Sequence, residues 1–412
     1  MKAHLLALLL LVGGSIGGCR TKPSPTRGAE PVHLETLGAQ ACNDALYRTL
    51  QERLQAVLDN DIRTGDQRLS GLAWEGADYA EAALIAYQQF GDRRFLDMVS
   101  QHYDHVLQRR DDKLNRFDQH HNRIMKAWGS RNLDKKRWIA HITHNARIVH
   151  TGVLFARLIE QDPNLKAYQP KANHYLKEAT RTLQEFEEDW HPVAGEPRLF
   201  WYQRPNDKGQ EATNHLHMIG RTWIHLATLT GEARYKQRIT MVLDAFLKGV
   251  NRHDDGTASW NYFPYFARNE QADSSRRNGQ DYSEPIWKGA LTAPFLLEAQ
   301  THGYAVPSWL IQGIGQGFAE HSFQGRNLLR NLSPQNSRMV DASQDRQKLS
   351  MLSHLFGLTT YNRVDSRITP KLHYLVQARP DLLPGGWLAS AAGVRGYAIA
   401  RCPKPTGAQP AM

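Results

Sequence analysis

Apolar residues along this chain recur at three- and four-residue spacing, and few segments show the alternation typical of strands. The stretch 79–107 contains an apolar helix, a Gly-Asp turn, an aromatic anchor and a second, amphipathic helix. The stretch 215–247 repeats this plan, with GEARY (231–235) where the first has GDRRF (91–95). Glycine suits the left-handed position that ends a helix, and an acidic residue favours the start of the next. The pattern therefore predicts helical hairpins with very short turns.

Looser versions of the same unit occur at 141–186, 289–321 and 348–376, and a further helix is expected at about 39–60. Together these segments give about six hairpins. Each hairpin needs a neighbour to bury its apolar face, so the repeats must stack into a solenoid or close into a ring. Units of roughly 40–60 residues with long loops favour a ring over the tighter, more uniform arrays of helical repeats.

The helix–GD/GE-x-x-aromatic–helix hairpins resemble those of (α/α)-toroid carbohydrate-active proteins, and most closely those of uronic-acid polysaccharide lyases such as alginate and glucuronan lyases. The resemblance covers most of residues 40–380. It implies an all-α fold, an (α/α)6-type toroid built as an incomplete ring of helical hairpins, with long loops at one face. The group also includes uronate epimerases and several glycoside hydrolase families, so the resemblance indicates architecture better than reaction.

The N-terminal segment MKAHLLALLLLVGGSIGGC has one lysine near its start, an apolar run from Leu5 to Val12, and small residues up to Cys19. So short a run cannot span a bilayer, which takes about 20 apolar residues, and it is typical of a signal peptide. The small residues before Cys19 match a lipobox, in which cleavage leaves the cysteine as a diacylated N-terminus. An ordinary secretory signal that happens to contain a cysteine is the alternative.

These features predict the organisation and location of the chain. We expect a lipoprotein signal peptide at 1–18, a lipidated tether at 19–38 and a single toroid domain at 39–400. Residue 20 is an arginine, not the aspartate that resembles an inner-membrane retention signal. The expected location is therefore the bacterial cell envelope, with a lipid anchor at Cys19 in the outer membrane and the protein facing the periplasm.

The remaining cysteines and the net charge suggest partners. Cys42 and Cys402 lie near the two ends of the expected domain, and in an oxidising envelope they could pair, with two free thiols as the alternative. The chain has 51 Lys+Arg against 41 Asp+Glu, a net charge of +10, which attracts polyanions if it is concentrated on one surface. No nucleic-acid motif is present, so we expect an acidic polysaccharide as the partner, no nucleic acid, and no cofactor.

Two segments near the starts of inner helices offer polar groups to a cleft. In RLSGLAWEGADYAEA (68–82), Trp74 is a candidate for stacking on a sugar, although a packed tryptophan is the alternative. In RWIAHITHNARIVHTG (137–152), His141, His144 and Asn145 are spaced to share one helical face. These three groups either face the cleft or lie satisfied in the core. A histidine pair at this spacing suits zinc, but no carboxylate is placed to complete such a site, so no metal is predicted.

A third segment, GQEATNHLHMIGRTW (209–223), opens an inner helix with Asn214 and His215. This pair resembles the Asn–His pair of toroid alginate lyases. The resemblance implies that Asn214 helps to neutralise a uronate carboxylate and that His215 takes part in proton transfer. Arg221 lies two turns beyond Asn214 on the same face. Helix capping by Asn214 and packing of His215 are the alternatives.

The fourth segment, 258–291, concentrates aromatic and charged residues between two expected helices. Trp260, Tyr262 and Tyr265 are expected on a loop at the face of the ring, where they could stack on sugars or shield the core. The segment resembles the W-x-Y…ED-x-SH-G-A arrangement of toroid lyases and their relatives, but Glu284 stands where these have histidine. A new helix is expected from Pro285.

These segments supply the predicted site. The predicted catalytic residues are Asn214, His215, Tyr265, Tyr262, His144 and Arg221. The predicted substrate-binding residues are Trp74, Trp260, Arg268, Asn145, Trp287, Lys288 and Glu284.

The first hypothesis for the reaction is β-elimination by a polysaccharide lyase, which must neutralise a uronate carboxylate, supply a base and protonate the leaving oxygen. A uronate C5-epimerase would need nearly the same groups. A glycoside hydrolase acting on an envelope polysaccharide or exopolysaccharide would need two carboxylates about 5–10 Å apart, for which Asp78, Asp281 and Glu284 are candidates. A non-catalytic polysaccharide-binding lipoprotein is the remaining alternative.

Overall fold

The computed structural model describes residues 71–324 except 133, 206–208 and 268–282, together with scattered residues at 47–59 and between 327 and 371. The predictions for Cys19, Cys42, Cys402 and Arg268 lie outside the described residues. The same holds for Asp281, for the hairpin at 348–376, and for the side chain of Trp287. The lipid anchor, the disulfide and the domain boundaries therefore stay predictions.

Four helical hairpins follow one another through the described part of the chain. Their helices are α1 (Ala77–Phe90) with α2 (Arg94–Gln108), α4 (Ile142–Gln161) with α5 (Gln169–Gln184), α6 (Thr213–Thr230) with α7 (Ala233–Lys248), and α8 (Ile286–Thr301) with α9 (Ser308–Glu320); a short helix α3 (Asp111–Leu114) follows α2. The first helices of successive hairpins pack on one another, α1 on α4, α4 on α6 and α6 on α8. They form an inner layer with the second helices outside it, which is the (α/α)-toroid architecture that the sequence predicted.

Two of the hairpins turn at the glycines that the sequence indicated. Gly91 and Gly231 end α1 and α6 with φ of 71° and 70°, in the left-handed region that a residue with a Cβ rarely adopts. The N–H of Gly91 donates to the carbonyl of Tyr87, and the N–H of Gly231 donates to that of Ala227. The predicted very short turns are therefore confirmed at both positions, with three residues between α1 and α2 and two between α6 and α7.

Short antiparallel strands follow each of the outer helices, and those after the first three hairpins lie in the connection to the next inner helix. They are β1 (Phe117–Asp118), β2 (Arg123–Ile124), β3 (Gly129–Ser130), β4 (Ile139–Ala140), β5 (Trp190–Val193), β6 (Glu196–Tyr202), β7 (Val250–Arg252), β8 (Ala258–Trp260), β9 (Phe323–Gln324), β10 (Asn327–Leu329) and β11 (Met339–Asp341). The pair β5–β6 precedes α6 and aligns Trp190 with Tyr202, and β7–β8 aligns Val250 with Trp260. The long loops expected at one face are thus partly β-hairpins.

The inner helices pack closely because small residues face large rings. A Cβ on Gly220 of α6 would lie 2.5 Å from the ring of Phe295 on α8, and a Cβ on Gly152 of α4 would lie 2.6 Å from the ring of Tyr103 on α2. Either substitution would force two helices apart. None of the helices in the described part of the chain is both long enough and apolar enough to cross a membrane.

Candidate active site

A buried carboxylate lies where the first turns of α4 and α6 meet. Glu211, two residues before α6, is fully buried. Its Oε1 lies 2.7 Å from Nδ1 of His215, and its Oε2 lies 2.8 Å from Nε2 of His141. The hydroxyl of Thr143 and the N–H of Ala212 also donate to it. Burial alone would favour the neutral acid, but the two histidines hold the pKa of Glu211 well below its usual value. Glu211 is therefore a buried anion.

His215, in the first turn of α6, is the partly exposed member of this group, with 16% of its side chain accessible. Burial lowers its pKa below the usual 6.5, and this outweighs the opposite effect of Glu211. The ring is therefore mainly neutral at pH 7. When Nδ1 carries the proton and donates to Glu211, Nε2 holds the lone pair that a substrate or a water molecule would meet.

His144 and Trp74 complete what we call the histidine–glutamate cluster (Trp74, His141, His144, Glu211 and His215). The indole N–H of Trp74 donates to Nε2 of His144 over 3.2 Å, and the Trp74 ring lies 6.1 Å from that of His215. Burial, reinforced by the neighbouring histidines, lowers the pKa of His144 well below its usual value, so it accepts this hydrogen bond as a neutral ring. Trp74 belongs to a single π-helical turn, Leu72–Gly76, an irregularity frequent at functional sites.

A lysine and a second glutamate lie at the start of α8. Nζ of Lys288 lies 3.7 Å from the centre of the Tyr262 ring, a cation–π contact. Burial lowers the pKa of Lys288 to about 8, against the opposing charges of Glu284 and Glu211. The interaction of Lys288 with His215 and with both carboxylates places it beside the histidine–glutamate cluster.

Glu284 is fully buried, and its Oε2 accepts hydrogen bonds from the indole N–H of Trp260 at 2.5 Å and from the hydroxyl of Thr292 at 2.8 Å. Burial raises its pKa to about 8, so it is a neutral acid at pH 7. Its Oε1 has no hydrogen-bond partner among the described residues, and neither has Oδ1 of Asn214. These two buried oxygens remain available to a bound molecule.

A second polar group lies further along α6, around Arg221; we call it the arginine cluster (Glu81, His150, Arg221, His225 and Glu298). The Arg221 guanidinium donates to Glu81 at 3.0 Å and to Glu298 at 2.7 Å. Although burial favours the neutral acid, Arg221 lowers the pKa of Glu298 to about 2. The guanidinium of Arg221, which the sequence predicted to be catalytic, is thus already paired with two carboxylates of the protein.

A narrow cavity lies against the arginine cluster. It is lined by Ala77, Glu81, Arg147, His150, Met218 and Arg221. At its edge Asp78 pairs with Arg147 over 3.2 Å, and burial raises the pKa of Asp78 to about 6. The cavity therefore continues the polar interior of the toroid.

The structure brings together His144, His215 and Trp74, and it places Lys288, Tyr262, Asn214 and Glu284 at neighbouring helix starts. Glu211 was not predicted. Its position four residues before His215, which places two side chains on one helical face, was the available indication.

Two residues that the sequence predicted to bind substrate are buried and bonded to other protein groups. Trp260 is 2% exposed and donates to Glu284, so the expected stacking surface does not include it. Asn145 is fully buried and bonded to both backbone groups of Trp128 and to the carbonyl of His141, so it fixes a loop and has no group left for a substrate. The Tyr265 hydroxyl donates to Glu196 over 3.1 Å, and none of its described contacts is with the histidine–glutamate cluster.

No protein-family profile matches the chain, and no curated protein sequence matches it. Among solved structures, the GH76A alpha-1,6-mannanase from Salegentibacter sp. HEL1_6 is similar over 87% of this chain and 99% of that chain, with 8% identity and a TM-score of 0.50. An inactive variant of that enzyme in complex with alpha-1,6-mannotetrose has a TM-score of 0.50 and 9% identity, over 87% of this chain and 98% of that chain. Cellobiose 2-epimerase from Spirochaeta thermophila DSM 6192 has a TM-score of 0.47 and 11% identity, over 81% of this chain and 86% of that chain. At such identities the likeness concerns the fold, which is that of carbohydrate-active toroids.

Proposed function

We propose that this protein is a carbohydrate-active enzyme that binds a glycan across the first turns of its inner helices and uses His215 for proton transfer. One observation carries the proposal: a neutral, partly exposed histidine has one ring nitrogen fixed on the buried anion Glu211. A carboxylate that orients a histidine in this way makes the other nitrogen an effective general base. The complex of the similar mannanase with an oligosaccharide supports the choice of a glycan as substrate.

Hydrolysis of a glycosidic bond is the reaction that the comparisons favour, since the neighbours at a TM-score of 0.50 are mannanase structures. In this reaction Nε2 of His215 removes a proton from the attacking water. The glycosidic oxygen needs a proton as its bond to the anomeric carbon breaks. Glu284 retains its proton up to about pH 8 and is the candidate donor. The water oxygen joins the anomeric carbon, and the leaving sugar departs as an alcohol.

Removal of a proton from carbon is the second candidate, and the neutral His215 favours it specifically. In β-elimination on a uronic-acid polymer, His215 would take the C5 proton while the bond from C4 to the leaving oxygen breaks and a C4–C5 double bond forms. Lys288 would counter the charge on the substrate carboxylate. C5 epimerisation would begin with the same step and return a proton to the opposite face.

The products separate these reactions. Purified protein is incubated with a panel of neutral and acidic polymers that includes α-1,6-mannan, alginate, polyglucuronate, pectate and hyaluronan. Hydrolysis gives reducing ends without ultraviolet absorbance, and elimination gives reducing ends together with absorbance from the new double bond. Epimerisation gives neither, but in deuterated water it places deuterium at C5.

The control for the panel is His174→Ala, which removes an exposed histidine of α5. We expect one of these product signatures in the wild type and in the control, and its loss in His215→Ala. Equal turnover in the wild type and in His215→Ala would exclude His215 as the acid–base residue.

A further inference from the structure

A separate group of metal-ligating side chains lies in the connections that follow α3 and α5, and it shares no residue with the histidine–glutamate cluster. His120 and His121 follow strand β1, and Asp189 ends a 3-10 turn directly before β5. One ligand atom from each of the three residues lies within 4.8 Å of the other two. The group therefore links two connections that are about 70 residues apart in sequence.

The distances within this group suit a shared ion. Nε2 of His121 lies 2.9 Å from Oδ2 of Asp189, and Nε2 of His120 lies 3.9 Å from Oδ1 of the same carboxylate. The second separation is too long for a hydrogen bond. Two ligands bound to one zinc ion at about 2.0–2.1 Å can be at most about 4.2 Å apart. Binding of one ion would therefore bring the ligand atom of the partly exposed His120 closer to the other two.

The orientation of His121 is fixed by a carboxylate behind it. Oδ1 of Asp118 lies 3.0 Å from Nδ1 of His121 and accepts the backbone N–H groups of His120 and His121 at 2.9 and 2.6 Å. At 2.9 Å from a carboxylate oxygen, the Nε2–H of His121 donates to Asp189, and an ion bound there would displace this proton while Asp118 keeps the one on Nδ1. This arrangement of carboxylate, histidine and ligand position is the one that metal-binding histidines commonly adopt.

The charges and the ligand types agree with a transition-metal dication. Asp118 and Asp189 bring two negative charges, and one divalent ion bound to the neutral forms of both imidazoles would neutralise them. Imidazole nitrogens favour zinc and its neighbours over magnesium or calcium, which prefer oxygen ligands. His121 is almost fully buried, whereas 27% of the His120 side chain is exposed, which leaves an approach from solvent.

We propose that His120, His121 and Asp189 bind a divalent transition-metal ion, Zn²⁺ in preference to others, with water as the fourth ligand. Its effect is structural. The ion clamps the β1–β2 hairpin to the start of β5, and Asp118 also accepts the N–H of Ala140, next to His141 of the histidine–glutamate cluster. The proposal is independent of the reaction catalysed at His215.

The test uses untagged protein, stripped of metal with a chelator and then equilibrated with ZnCl₂ or CoCl₂. Elemental analysis after gel filtration is expected to give one zinc per chain. The cobalt form is expected to show the visible absorption of a tetrahedral site. His120→Ala is expected to weaken the affinity by about 10–100-fold, an effect of the size usual for a lost metal contact. Asp189→Asn is expected to act in the same direction, and His174→Ala is expected to bind as the wild type does.

Binding below stoichiometry in the wild type would overturn the proposal, and so would equal affinity in the wild type and His120→Ala. Circular dichroism checks that each variant is folded. If His120→Ala does not fold, His120→Gln is measured in its place, because glutamine has a similar volume but lacks the imidazole. The same results for stoichiometry and affinity would overturn the proposal. Zinc is also expected to raise the thermal midpoint of the wild type and of His174→Ala, but not that of His120→Ala.

Discussion

The two buried polar clusters on helix α6 differ in how completely their charges are matched. In the arginine cluster, one guanidinium donates to Glu81 and to Glu298, and the exposed fraction of the Arg221 side chain, 13%, is close to the 16% of His215. In the histidine–glutamate cluster, the anion Glu211 is matched by two histidines, and His215 remains partly exposed with one nitrogen uncommitted. Complete pairing of the charged groups indicates a structural role. A carboxylate–histidine pair in which the histidine keeps one ring nitrogen for a ligand indicates a catalytic role.

The largest effect on activity is expected when His215 is removed, and this substitution tests the difference between the two clusters most directly. We expect His215→Ala to lower kcat on the glycan identified in the panel by about 10²–10⁴-fold, the range usual for loss of a general acid–base group. The thermal midpoint should fall less than that of Arg221→Met, because Glu211 loses one histidine but keeps His141, Thr143 and the N–H of Ala212. Steady-state kinetics and a thermal melt measure both quantities. A large loss of stability with little loss of kcat would assign His215 to structure instead.

Removing Arg221 should give the opposite result. Arg221→Met leaves two buried carboxylates without their cation, and we expect the free energy of unfolding at pH 7 to fall by about 3–5 kcal/mol. Because the folded pKa of Glu298 is lowered from 4.5 to about 2, its stabilisation in the wild type is present above pH 4.5 and lost between pH 4.5 and 2. The deficit of the variant should therefore shrink over that window in urea titrations. A deficit that is constant from pH 7 to 3 would contradict the ion-pair explanation.

Glu284 gives a smaller effect that depends on pH. Its folded pKa is raised from 4.5 to about 8, so its contribution to stability is fully present below pH 4.5 and is lost as the pH rises toward 8. Glu284→Gln cannot titrate and should remove this slope, which we expect to amount to a few kcal/mol between pH 5 and 8. Lys288, whose pKa is lowered from 10.5 to about 8, acts above this window. Identical slopes in the wild type and the variant would show that Glu284 is already ionised at pH 5.

Tyr265 should give the smallest effect. Its hydroxyl donates to Glu196, so Tyr265→Phe removes one hydrogen bond and should cost about 0.5–1.5 kcal/mol of stability with kcat unchanged. The resemblance to toroid lyases assigned this residue to catalysis. A tenfold or greater fall in kcat, with the stability retained, would favour that assignment over the one drawn from the contacts.

Much of the architecture was accessible from the sequence, because local patterns determine it. The glycines at 91 and 231 mark turns that need a left-handed residue, and the helices on either side follow from three- and four-residue spacing. The β-hairpins were not predicted, since β1 to β4 are only two residues long and such strands leave no measurable alternation.

The site was predicted less completely, because burial and pairing depend on contacts distant in sequence. Asn214 and His215 were found from their position at a helix start. The role of Glu211 becomes visible only in the fold, where His141, 70 residues earlier in sequence, lies against its carboxylate. Trp260 was misplaced for the same reason: a tryptophan in a polar loop suggests exposure, and only the fold reveals that it lies beneath Glu284.

The short turns at Gly91 and Gly231 also bear on how such a protein can change during evolution. They close α1 and α6 at the ends opposite to the histidine–glutamate cluster, about 20 Å or more away along each helix. The connections that can accept insertions, β5–β6 and β7–β8, are all on the side of the cluster. The tips of these hairpins can therefore vary, while their buried strand residues and the short turns that join the paired helices remain unaltered.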